Sequence, residues 1–346
     1  MERVSLSGIK KDSFVSILNS IVKKEKISRA EIAEQTNLSL MTVGKAVDML
    51  LDQHVIAQTK ETKHIAGRKA GLVCMHPSKY IMLIDLTCRD FTMTVLGASL
   101  SVRDIVAYHY NASFFFEENI YIFLKNVKIY MLRQLDMQHC IGVGVLVPGS
   151  YDKENDRVNY TQWPEIETIG INHCIEDVLK IKPDIIIEDM MAAAHSLTEK
   201  IDGNREKMVV YLHTGWGIRS ILLYRGTLLR GKTGGWTGNI GWLMMNERLE
   251  KSIRQQGWTE NTGQTIAQAV AALLHLMQPD VMVIENYMPT TVGAPEMYLR
   301  QQLPQLMKPE NGEIIPEIVS IGGEESQAQI GLAMILRERW LKGLLC

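Results

Sequence analysis

Short polar and cationic side chains are concentrated between residues 28 and 69, at spacings that suit contact with nucleic acid. Thr42 and Lys45 fall near the start and on the outer side of a segment with helical periodicity, where a hydroxyl and an ammonium group can meet base edges and phosphates. Arg68 and Lys69 follow a glycine in a basic stretch that can enter a minor groove or hold a phosphate. The predicted DNA-contacting residues are Ser28, Ser39, Met41, Thr42, Lys45, Lys63, Arg68 and Lys69.

Two helices joined by a tight turn would hold these side chains in place. Ser28, followed three residues later by Glu31, forms the pattern of a capping box at a helix start. Asn37 suits the left-handed conformation of a tight turn, and Ser39 can cap the next helix. An earlier helix over 13–22 would complete a three-helix core. The second helix of the pair carries apolar residues at helical spacing, at Val43, Ala46, Val47, Leu50 and Leu51.

A β-hairpin is predicted after these helices. Residues 55–59 are apolar and β-branched, residues 72–75 form a second apolar run, and the basic stretch 60–69 lies between them. This order predicts a winged helix-turn-helix domain over residues 1–75, in which 66–71 is a linker-like stretch. The alternative is a small three-helix bundle with a solvated charged turn, but caps, turn, helix faces and wing together favour DNA binding.

The charge is distributed unevenly along the chain. Residues 1–70 carry 12 Lys and Arg against 8 Asp and Glu, whereas the whole chain has a net charge of −2. A basic head on an acidic body suits a DNA-binding protein whose body does not touch DNA. Because the excess is modest, we expect two heads in a two-fold homodimer to bind an inverted-repeat site together.

The composition is that of a globular protein. A chain of 346 residues fits two or three domains, and a hydrophobic content of 46% is sufficient for buried cores. No apolar run reaches the roughly 18–20 residues that span a bilayer, and the N-terminal segment lacks the apolar region of a signal peptide. We therefore expect a cytoplasmic protein. Its five cysteines form no CxxC pair, which predicts reduced thiols rather than disulfides or a cysteine zinc site.

Strand-like and helix-like runs alternate from residue 80 onward. Residues 140–149 and 184–189 are continuous apolar runs typical of buried strands, and residues 117–134 have the period of an amphipathic helix. The alternation predicts an α/β body with two lobes, over 76–190 and 191–346, and a cleft between them. The C-terminal helix can return to the first lobe.

The segment LHTGWGIRSILLYRGTLLRGKTGGWTGNIGWL (212–243) resembles the signature of the ROK family, which unites repressors, open reading frames and sugar kinases. That family has a glycine-rich turn, a hairpin, a return glycine and a Gly-Glu-x-Gly-His element in this order. Residues 140–149, 187–194 and 278–286 also fall at family-like positions, and ROK repressors carry a winged helix in front. The resemblance covers nearly the whole chain and implies a two-lobed actin-like ATPase/hexokinase (ribonuclease H-like) fold.

Three turns that contact the nucleotide in ROK kinases are altered in this sequence. The family's Asp-x-Gly-Gly-Thr turn reads DLTCRD at 85–90, so the backbone nest for phosphate is lost after Asp85. His213 and Arg219 stand where small glycines are usual and would crowd a nucleotide. The Gly-Gly pair near the adenine reads Glu285–Asn286. We therefore expect neither ATP-dependent phosphotransfer nor any other enzymatic activity, and no cofactor.

The sugar-contacting positions of the family are changed but remain polar. The family's Asn-Asp pair, whose Asp is the general base in kinases, reads Glu188–Asp189, and Asp189 could still accept a hydrogen bond from a hydroxyl. In the element that reads Gly238–Asn239–Ile240–Gly241–Trp242, the amide can bond a hydroxyl and the indole can stack on a sugar. The predicted effector-binding residues are Glu188, Asp189, Gly238, Asn239 and Trp242.

Two of these positions have an ordinary structural alternative. Asp189 could instead cap a helix over 190–200, and Trp242 could be plain core packing. Zinc is not expected, because the family's cysteine-rich loop is replaced by residues 245–265, which contain no cysteine. A tryptophan also cannot replace the histidine ligand.

The resemblance implies a DNA-binding transcriptional regulator, a repressor, that is controlled by a sugar or sugar-like effector in the interlobe cleft. The alternative is a regulator whose body only dimerises or docks a partner protein. A sugar kinase fused to a DNA-binding domain would need phosphate loops that this chain lacks. The expected partners are double-stranded DNA, a sugar effector and a second copy of the chain, without a membrane.

Overall fold

A computed structural model of the chain shows a small N-terminal domain, the head, followed by a body with two five-stranded sheets. The predicted fold class, a winged helix-turn-helix in front of a mixed α/β body, is confirmed. None of the described helices is both long and apolar enough to cross a membrane. The described residues are 11–65, 68–88, 90–159, 161, 163–200, 206–215, 217–231, 237–243, 249–288, 290–307, 315–321 and 326–344.

The head contains three helices and a sheet with the strand order β1-β3-β2. Its elements are α1 (Lys11–Lys23), β1 (Ile27–Ser28), α2 (Arg29–Thr36), α3 (Leu40–Asp52), β2 (Ile56–Ile65) and β3 (Arg68–Met75). The antiparallel pair β2–β3 is the predicted wing. The expectation of a linker-like stretch over 66–71 is wrong, because β3 begins at Arg68 and Gly71 pairs with Thr62. Backbone hydrogen bonds extend the hairpin beyond its apolar residues, while Ala66 and Gly67 lie outside the described residues.

The head is packed onto the body through one apolar cluster. Buried side chains of α1, α3 and β3 share this cluster with Ala98 of the first lobe and with Trp340 and Leu341 near the C-terminus. Removing this apolar surface from water stabilises the joint, by about 25 cal/mol for each Å² buried. The head and the body therefore share a buried core.

The first sheet of the body has the strand order β10-β7-β4-β5-β6. Three strands form an antiparallel meander, and β7 and β10 run parallel to β4. Two helices cover its outer face with a large apolar cluster, and a small hairpin follows β7. These elements are β4 (Tyr80–Asp85), β5 (Asp90–Gly97), β6 (Val102–His109), α4 (Phe116–Gln134), β7 (Cys140–Val147), β8 (Ser150–Asp152), β9 (Arg157–Asn159), α5 (Ile171–Leu179) and β10 (Ile185–Glu188).

The second sheet has the order β13-β12-β11-β14-β15, and three helices cover its outer face. Its elements are β11 (Met208–Thr214), β12 (Ile218–Tyr224), β13 (Thr227–Leu228), α7 (Leu249–Gln256), α8 (Glu260–Met277), β14 (Val281–Asn286), α9 (Pro295–Met307) and β15 (Glu317–Ile321). The sequence patterns did not predict α7, α9 or β15. α8 begins at Glu260, after Thr259, whose side chain caps the helix by accepting from the Thr262 amide.

Two helices lie between the sheets, α6 (Asp189–Lys200) and α10 (Gln327–Gly343). Their apolar residues form a single cluster with the inner faces of both sheets. They cross closely at Gly331, where any side-chain carbon would collide with the carbonyl oxygen of Ala192. α10 also packs against β4 and β7 of the first sheet. Because α6 begins directly after β10, its first residue lies at the carboxyl end of the first sheet.

Candidate nucleic-acid interface and effector cleft

The start and end of α2 are set by hydrogen bonds within a few residues. The Ser28 hydroxyl accepts a hydrogen bond from the Glu31 amide at 3.2 Å, and a Glu31 carboxylate oxygen accepts one from the Ser28 amide at 2.9 Å. The predicted capping box is confirmed. Asn37 adopts the predicted left-handed conformation, with φ of 53°, and ends the helix. These local bonds fix the angle at which α3 leaves the turn.

The second helix, α3, presents an exposed surface at its first turn. The Ser39 hydroxyl caps it by accepting a hydrogen bond from the Thr42 amide at 3.1 Å, and the two hydroxyls lie 2.9 Å apart. Leu40 and Met41 are 62% and 73% exposed, although both are large and apolar. Lys45 is exposed one turn later. The first turn of α3 can therefore enter a groove, whereas its opposite face is buried at Val43, Ala46, Val47 and Leu50.

The structure changes the role expected of Ser28. This side chain is completely buried, and its hydroxyl is engaged with Glu31, so it positions α2 instead of meeting a phosphate. The sequence reasoning also overlooked Arg29, whose guanidinium donates to Asp48 of α3 at 2.5 Å. This ion pair is partly exposed and places a cation beside the recognition helix. Its signal in the sequence was only a single basic residue at a helix start.

The wing residues are placed by their strand register. Lys63 pairs with Ala70, Lys69 with His64, and Arg68 with Ile65, next to the tip of the hairpin. The side chains of Lys63, Arg68 and Lys69 lie outside the described residues. Their contacts with DNA remain predictions.

The two lobes are joined by a buried ion pair at the carboxyl end of β10. Arg219 of β12 donates from one nitrogen to the Asp189 carboxylate at 2.7 Å and from a second nitrogen to its other oxygen. Burial alone would lower the pKa of Arg219, but the Asp189 carboxylate outweighs it and raises that pKa further above its ordinary value. Asp189 also accepts from the Met190 amide at 2.9 Å, at the start of α6. The residue predicted to hold a ligand hydroxyl is thus bonded to the opposite lobe.

Glu188, the neighbour of Asp189, is buried in a different way. Only 2% of it is exposed, and its Oε1 has no hydrogen-bond partner in the described part of the chain. Burial, followed by the nearby Asp189 charge, raises the pKa of Glu188 to about 9. The group is therefore neutral at pH 7 and can donate a hydrogen bond.

The remaining predicted effector residues lie together in one turn after β13. Gly238 has a φ of 80°, and the Asn239 side-chain oxygen accepts from the Gly241 amide at 3.1 Å. Ser220, next to Arg219 on β12, donates its hydroxyl to the Gly238 carbonyl and accepts from the Ile240 amide. β12 thus contacts both predicted groups, Glu188–Asp189 through Arg219 and this turn through Ser220.

Trp242 is 44% exposed, so the alternative of plain core packing is wrong. Leu243 beside it is 41% exposed. A large aromatic ring at this position can offer an apolar face to a ligand.

The turn after β4 is closed by its own side chains. Asp85 accepts from the Thr87 amide at 2.9 Å and from the Thr87 hydroxyl at 2.5 Å. Its second oxygen accepts from Gln329 of α10 at 2.9 Å. Burial raises the pKa of Asp85 despite these hydrogen bonds. The Thr87 amide is therefore already bonded within the protein.

A second polar network fills the ends of β11 and β14. The Glu285 carboxylate accepts from the Tyr211 hydroxyl, from His213 at 3.1 Å, from the Tyr287 hydroxyl at 2.8 Å and from the Gln327 amide at 2.8 Å. Burial acts to raise the pKa of Glu285, but the hydrogen bonds, led by that of His213, lower it below its ordinary value. His213 also lies over Gly215, where an added Cβ would be 2.7 Å from its Nε2.

Within the described ranges, no three His, Cys, Asp or Glu side chains are grouped to hold a metal ion. Zinc in ordinary structural sites needs four such ligands. The expected absence of zinc remains a prediction, because part of the segment 245–265 lies outside the described residues.

Comparison with known proteins finds similarity both to a family of DNA-binding domains and to a repressor. A family model described as winged helix-turn-helix DNA-binding matches residues 15–57. The N-acetylglucosamine repressor of Escherichia coli O157:H7 is 23% identical over 230 residues, which cover 65% of this chain. The match covers 55% of the repressor, so the chain spans just over half the length of the curated relatives it matches.

The fold is shared with solved structures along nearly the whole chain. A ROK family transcriptional regulator, described as a homologue of the E. coli MLC protein, has a TM-score of 0.64 and 15% identity; the match covers 96% of this chain and 97% of that one. The chain has the ROK fold behind a winged helix-turn-helix. The resemblance read from the sequence is confirmed.

ROK enzymes share the body alone. A ROK family glucokinase from Streptomyces griseus, solved with glucose and AMPPNP, has a TM-score of 0.53 and 11% identity, and the match covers 75% of this chain and 99% of that chain. The ROK fold therefore does not by itself separate regulators from kinases. In this chain, the turns after β4 and β11 are occupied by the Asp85 and Glu285 networks just described.

Proposed function

We propose that the chain is a DNA-binding transcriptional regulator, acting as a repressor, whose affinity for DNA is set by a sugar-like effector in the interlobe cleft. The observation that carries this proposal is the exposed first turn of α3. It combines Met41 and Lys45 on a helix whose start and opposite face are fixed by the protein core. Recognition helices of winged domains meet the major groove in this way.

The regulator acts as a two-fold homodimer on an inverted repeat. The head supplies few cations, so a single copy offers few phosphate contacts, whereas two copies double the contact area. A two-fold protein also matches a two-fold DNA site. The dimer contact is assigned to the body, since the head is occupied on one side by DNA and on the other by the joint with Ala98 and Trp340.

The effector is a sugar or a close analogue, in line with the N-acetylglucosamine named for a relative. Three features of the cleft support this class of ligand. The neutral Glu188 carboxyl can donate to a ligand oxygen, the Asn239 amide can bond a hydroxyl, and Trp242 offers an aromatic face. Carbohydrates need this combination of paired hydrogen bonds and an apolar surface.

Effector binding changes the cleft by competing for Asp189. In the present conformation Arg219 holds both carboxylate oxygens, so a hydroxyl that bonds Asp189 must displace at least one of these bonds. The ligand then has different affinities for the paired and separated states, which is the condition for shifting a two-state equilibrium. Because the head shares a core with the body, the shift can reach the DNA-binding surface.

The chain is not proposed to be a kinase. The Thr87 amide is bonded to Asp85, and the imidazole of His213 lies over Gly215, where a phosphate turn would need open space. A kinase needs backbone amides that face the phosphates. An assay of ATP turnover with glucose or N-acetylglucosamine checks this, and turnover would contradict it.

The second candidate function is a regulator whose body only dimerises or docks a partner protein. It is favoured by one observation, the full engagement of Asp189 with Arg219. If that ion pair is permanent, the cleft is structural. The two candidates differ in one measurable property, the response of DNA binding to a small molecule.

The experiment that tests the proposal begins with capture of genomic fragments from the organism that encodes the chain. Fragments bound by the full chain are sequenced, and the recovered site is used in mobility shifts with Lys45→Ala and, as a matched control, Lys125→Ala on the exposed side of α4. A panel of glucose, sucrose and N-acetylglucosamine is then screened by thermal shift. Recovery of no common sequence would contradict DNA-specific binding, and a silent panel would favour the docking alternative.

A further inference from the structure

A groove of about 450 Å³ lies where the head joins the first lobe. The loop between α1 and β1, together with the end of β3, lines one side of it. The turn between β5 and β6 and the start of β6 line the other side. We call it the joint groove. Its walls belong to two domains, so any ligand in it touches both.

The charges in the joint groove are mostly positive. Lys23, Lys24 and Lys26 line it from the head, and Arg103 lines it from the body. Glu25 is the one carboxylate among its described lining residues. Neither Lys23 nor Lys24 is paired with a carboxylate in the described part of the chain. With four cationic residues against one carboxylate, the lining is net positive and attracts a negatively charged ligand, above all one with two charges.

The body wall of the joint groove is held rigidly. Arg103 donates to the Lys79 carbonyl at 2.6 Å, which fixes its guanidinium. The Ser101 carbonyl accepts from the Gly97 amide at 2.8 Å, and the hydroxyls of Ser99 and Ser101 lie 3.0 Å apart. These groups present hydrogen-bond donors before a ligand arrives. Preorganised donors lower the entropic cost of binding.

The joint groove is separate from the predicted DNA-binding surface. Its β3 residues, Cys74 and Met75, are at the opposite end of the strand from Arg68, which places them roughly 20 Å from the wing tip at about 3.3 Å per residue. Met75 pairs with Ile56, close to the end of α3, whereas the exposed first turn is at Leu40. DNA in contact with the wing tip and that first turn would not fill the groove.

We propose that the joint groove binds a small phosphate-bearing anion, inorganic phosphate or a phosphate monoester, between the lysines of the head and Arg103 of the body. The volume is in the range of small-ligand sites. Lysine ammonium groups bind phosphate as point charges, and serine hydroxyls can donate to its oxygens. The ligand would hold the head in one orientation on the body. Its effect on DNA affinity rests on the proposed function, but its binding does not.

The test is a ³¹P NMR titration of the full chain, without DNA, with inorganic phosphate and in a separate arm with glycerol 3-phosphate. Saturable line broadening is expected at about millimolar concentration or below. Lys24→Gln and Arg103→Gln, one from each wall, should each weaken binding about tenfold, while Lys125→Gln on α4 leaves it unchanged. Equal affinity in both arms identifies inorganic phosphate as a sufficient ligand, and tighter binding of the ester identifies an organic phosphate.

Thermal melting of each variant establishes that it is folded, and the exposed Lys24 is the safer of the two substitutions. Broadening that does not saturate, or that sulfate and chloride reproduce at equal ionic strength, would overturn the proposal. Phosphate affinity equal to that of the wild type in both variants would also overturn it, as would a loss of phosphate affinity in Arg103→Gln alone. Duplex DNA that displaces phosphate, together with a loss of DNA affinity in Lys24→Gln as large as in Lys45→Ala, would assign the groove to DNA instead. None of these readouts uses the cleft.

Discussion

The recognition helix and the interlobe cleft use their side chains in opposite ways. At the start of α3, Met41 is 73% exposed and Lys45 points away from the core, so both can meet a partner without rearrangement. In the cleft, Asp189 and Glu285 are buried and bonded to Arg219 and to a Tyr-His network. The side chains of the recognition helix are open to a partner, whereas those of the cleft are already engaged within the protein.

The difference indicates which region can act as a switch. A surface that is already open binds its partner in a single step, and its affinity follows from contacts alone. A buried ion pair has two discrete arrangements, paired and separated, and a ligand that bonds one of the partners shifts the balance between them. Under the proposed function, the head binds DNA, and the Arg219–Asp189 pair is the element whose state an effector would set.

The largest expected effect is the loss of stability when the ion pair in the cleft is broken. Arg219→Ala leaves the Asp189 carboxylate buried without its cationic partner, which should lower the free energy of unfolding by about 3–5 kcal/mol. Urea unfolding followed by tryptophan fluorescence measures it. The double variant Arg219→Met with Asp189→Leu removes both charges and should recover much of the loss. Equal destabilisation of the single and double variants would mean that packing, not charge, is what the single substitution removes.

A second expected effect is the pH dependence of stability that the buried Glu188 carboxyl contributes. The folded-state pKa is about 9 against an ordinary 4.5, so the unfolded chain ionises first and stability falls as the pH rises between these values. The slope is up to about 1.4 kcal/mol per pH unit. Glu188→Gln cannot ionise and should lose this part of the slope. Unfolding titrations from pH 5 to 8 measure it, and parallel curves for the two proteins would show that Glu188 is ionised when folded.

Substitution of an exposed residue of the head should change the affinity for DNA but hardly change the stability of the protein. Lys45→Ala removes an exposed cation near the groove-facing turn, so DNA binding should weaken about tenfold and the slope of log affinity against log salt should fall by about one. Fluorescence anisotropy at several salt concentrations gives both numbers. An unchanged slope for Lys45→Ala, or the same fall in Lys125→Ala, would remove Lys45 from the interface.

The smallest expected effect is the loss of a helix cap. Ser39→Ala removes the acceptor for the Thr42 amide and should destabilise the head by about 1 kcal/mol. Ser39→Asp keeps an acceptor and should restore most of that stability. Thermal unfolding of both variants checks this, and an Asp variant as unstable as the Ala variant would show that the cap bond does not stabilise α3.

The head could be predicted from the sequence because its decisive contacts are local. The Ser28–Glu31 box, the left-handed Asn37 and the Ser39 cap each join residues no more than four apart. Such contacts leave a residue pattern in a short window. The wing was placed correctly but its strands were drawn too short, since charged residues on a solvated hairpin have no hydrophobic alternation.

The cleft could not be predicted to the same depth. The order of motifs in the sequence predicted the fold. The hydrogen-bond partners of the cleft residues, however, are far away in the sequence: that of Asp189 is 30 residues away, and that of Asp85, Gln329, is 244 residues away. Arg219 was expected only to crowd a nucleotide. Its bond to Asp189 depends on how two lobes approach, which no local pattern records. Glu188 and Asp189, adjacent in sequence, also differ in their partners, because Arg219 pairs with Asp189 whereas Oε1 of Glu188 has no hydrogen-bond partner in the described residues.

The most direct test of the account is the DNA affinity of the full chain, measured by anisotropy on the captured site while the active sugar is titrated. Trp242→Ala serves as the cleft variant, because a side chain 44% exposed can be removed with little loss of stability. We expect saturable release of DNA from the wild type, and unchanged DNA affinity with little or no release in Trp242→Ala. Equal release in both proteins would show that the sensor is not in this cleft, and a site that no sugar releases would contradict effector control.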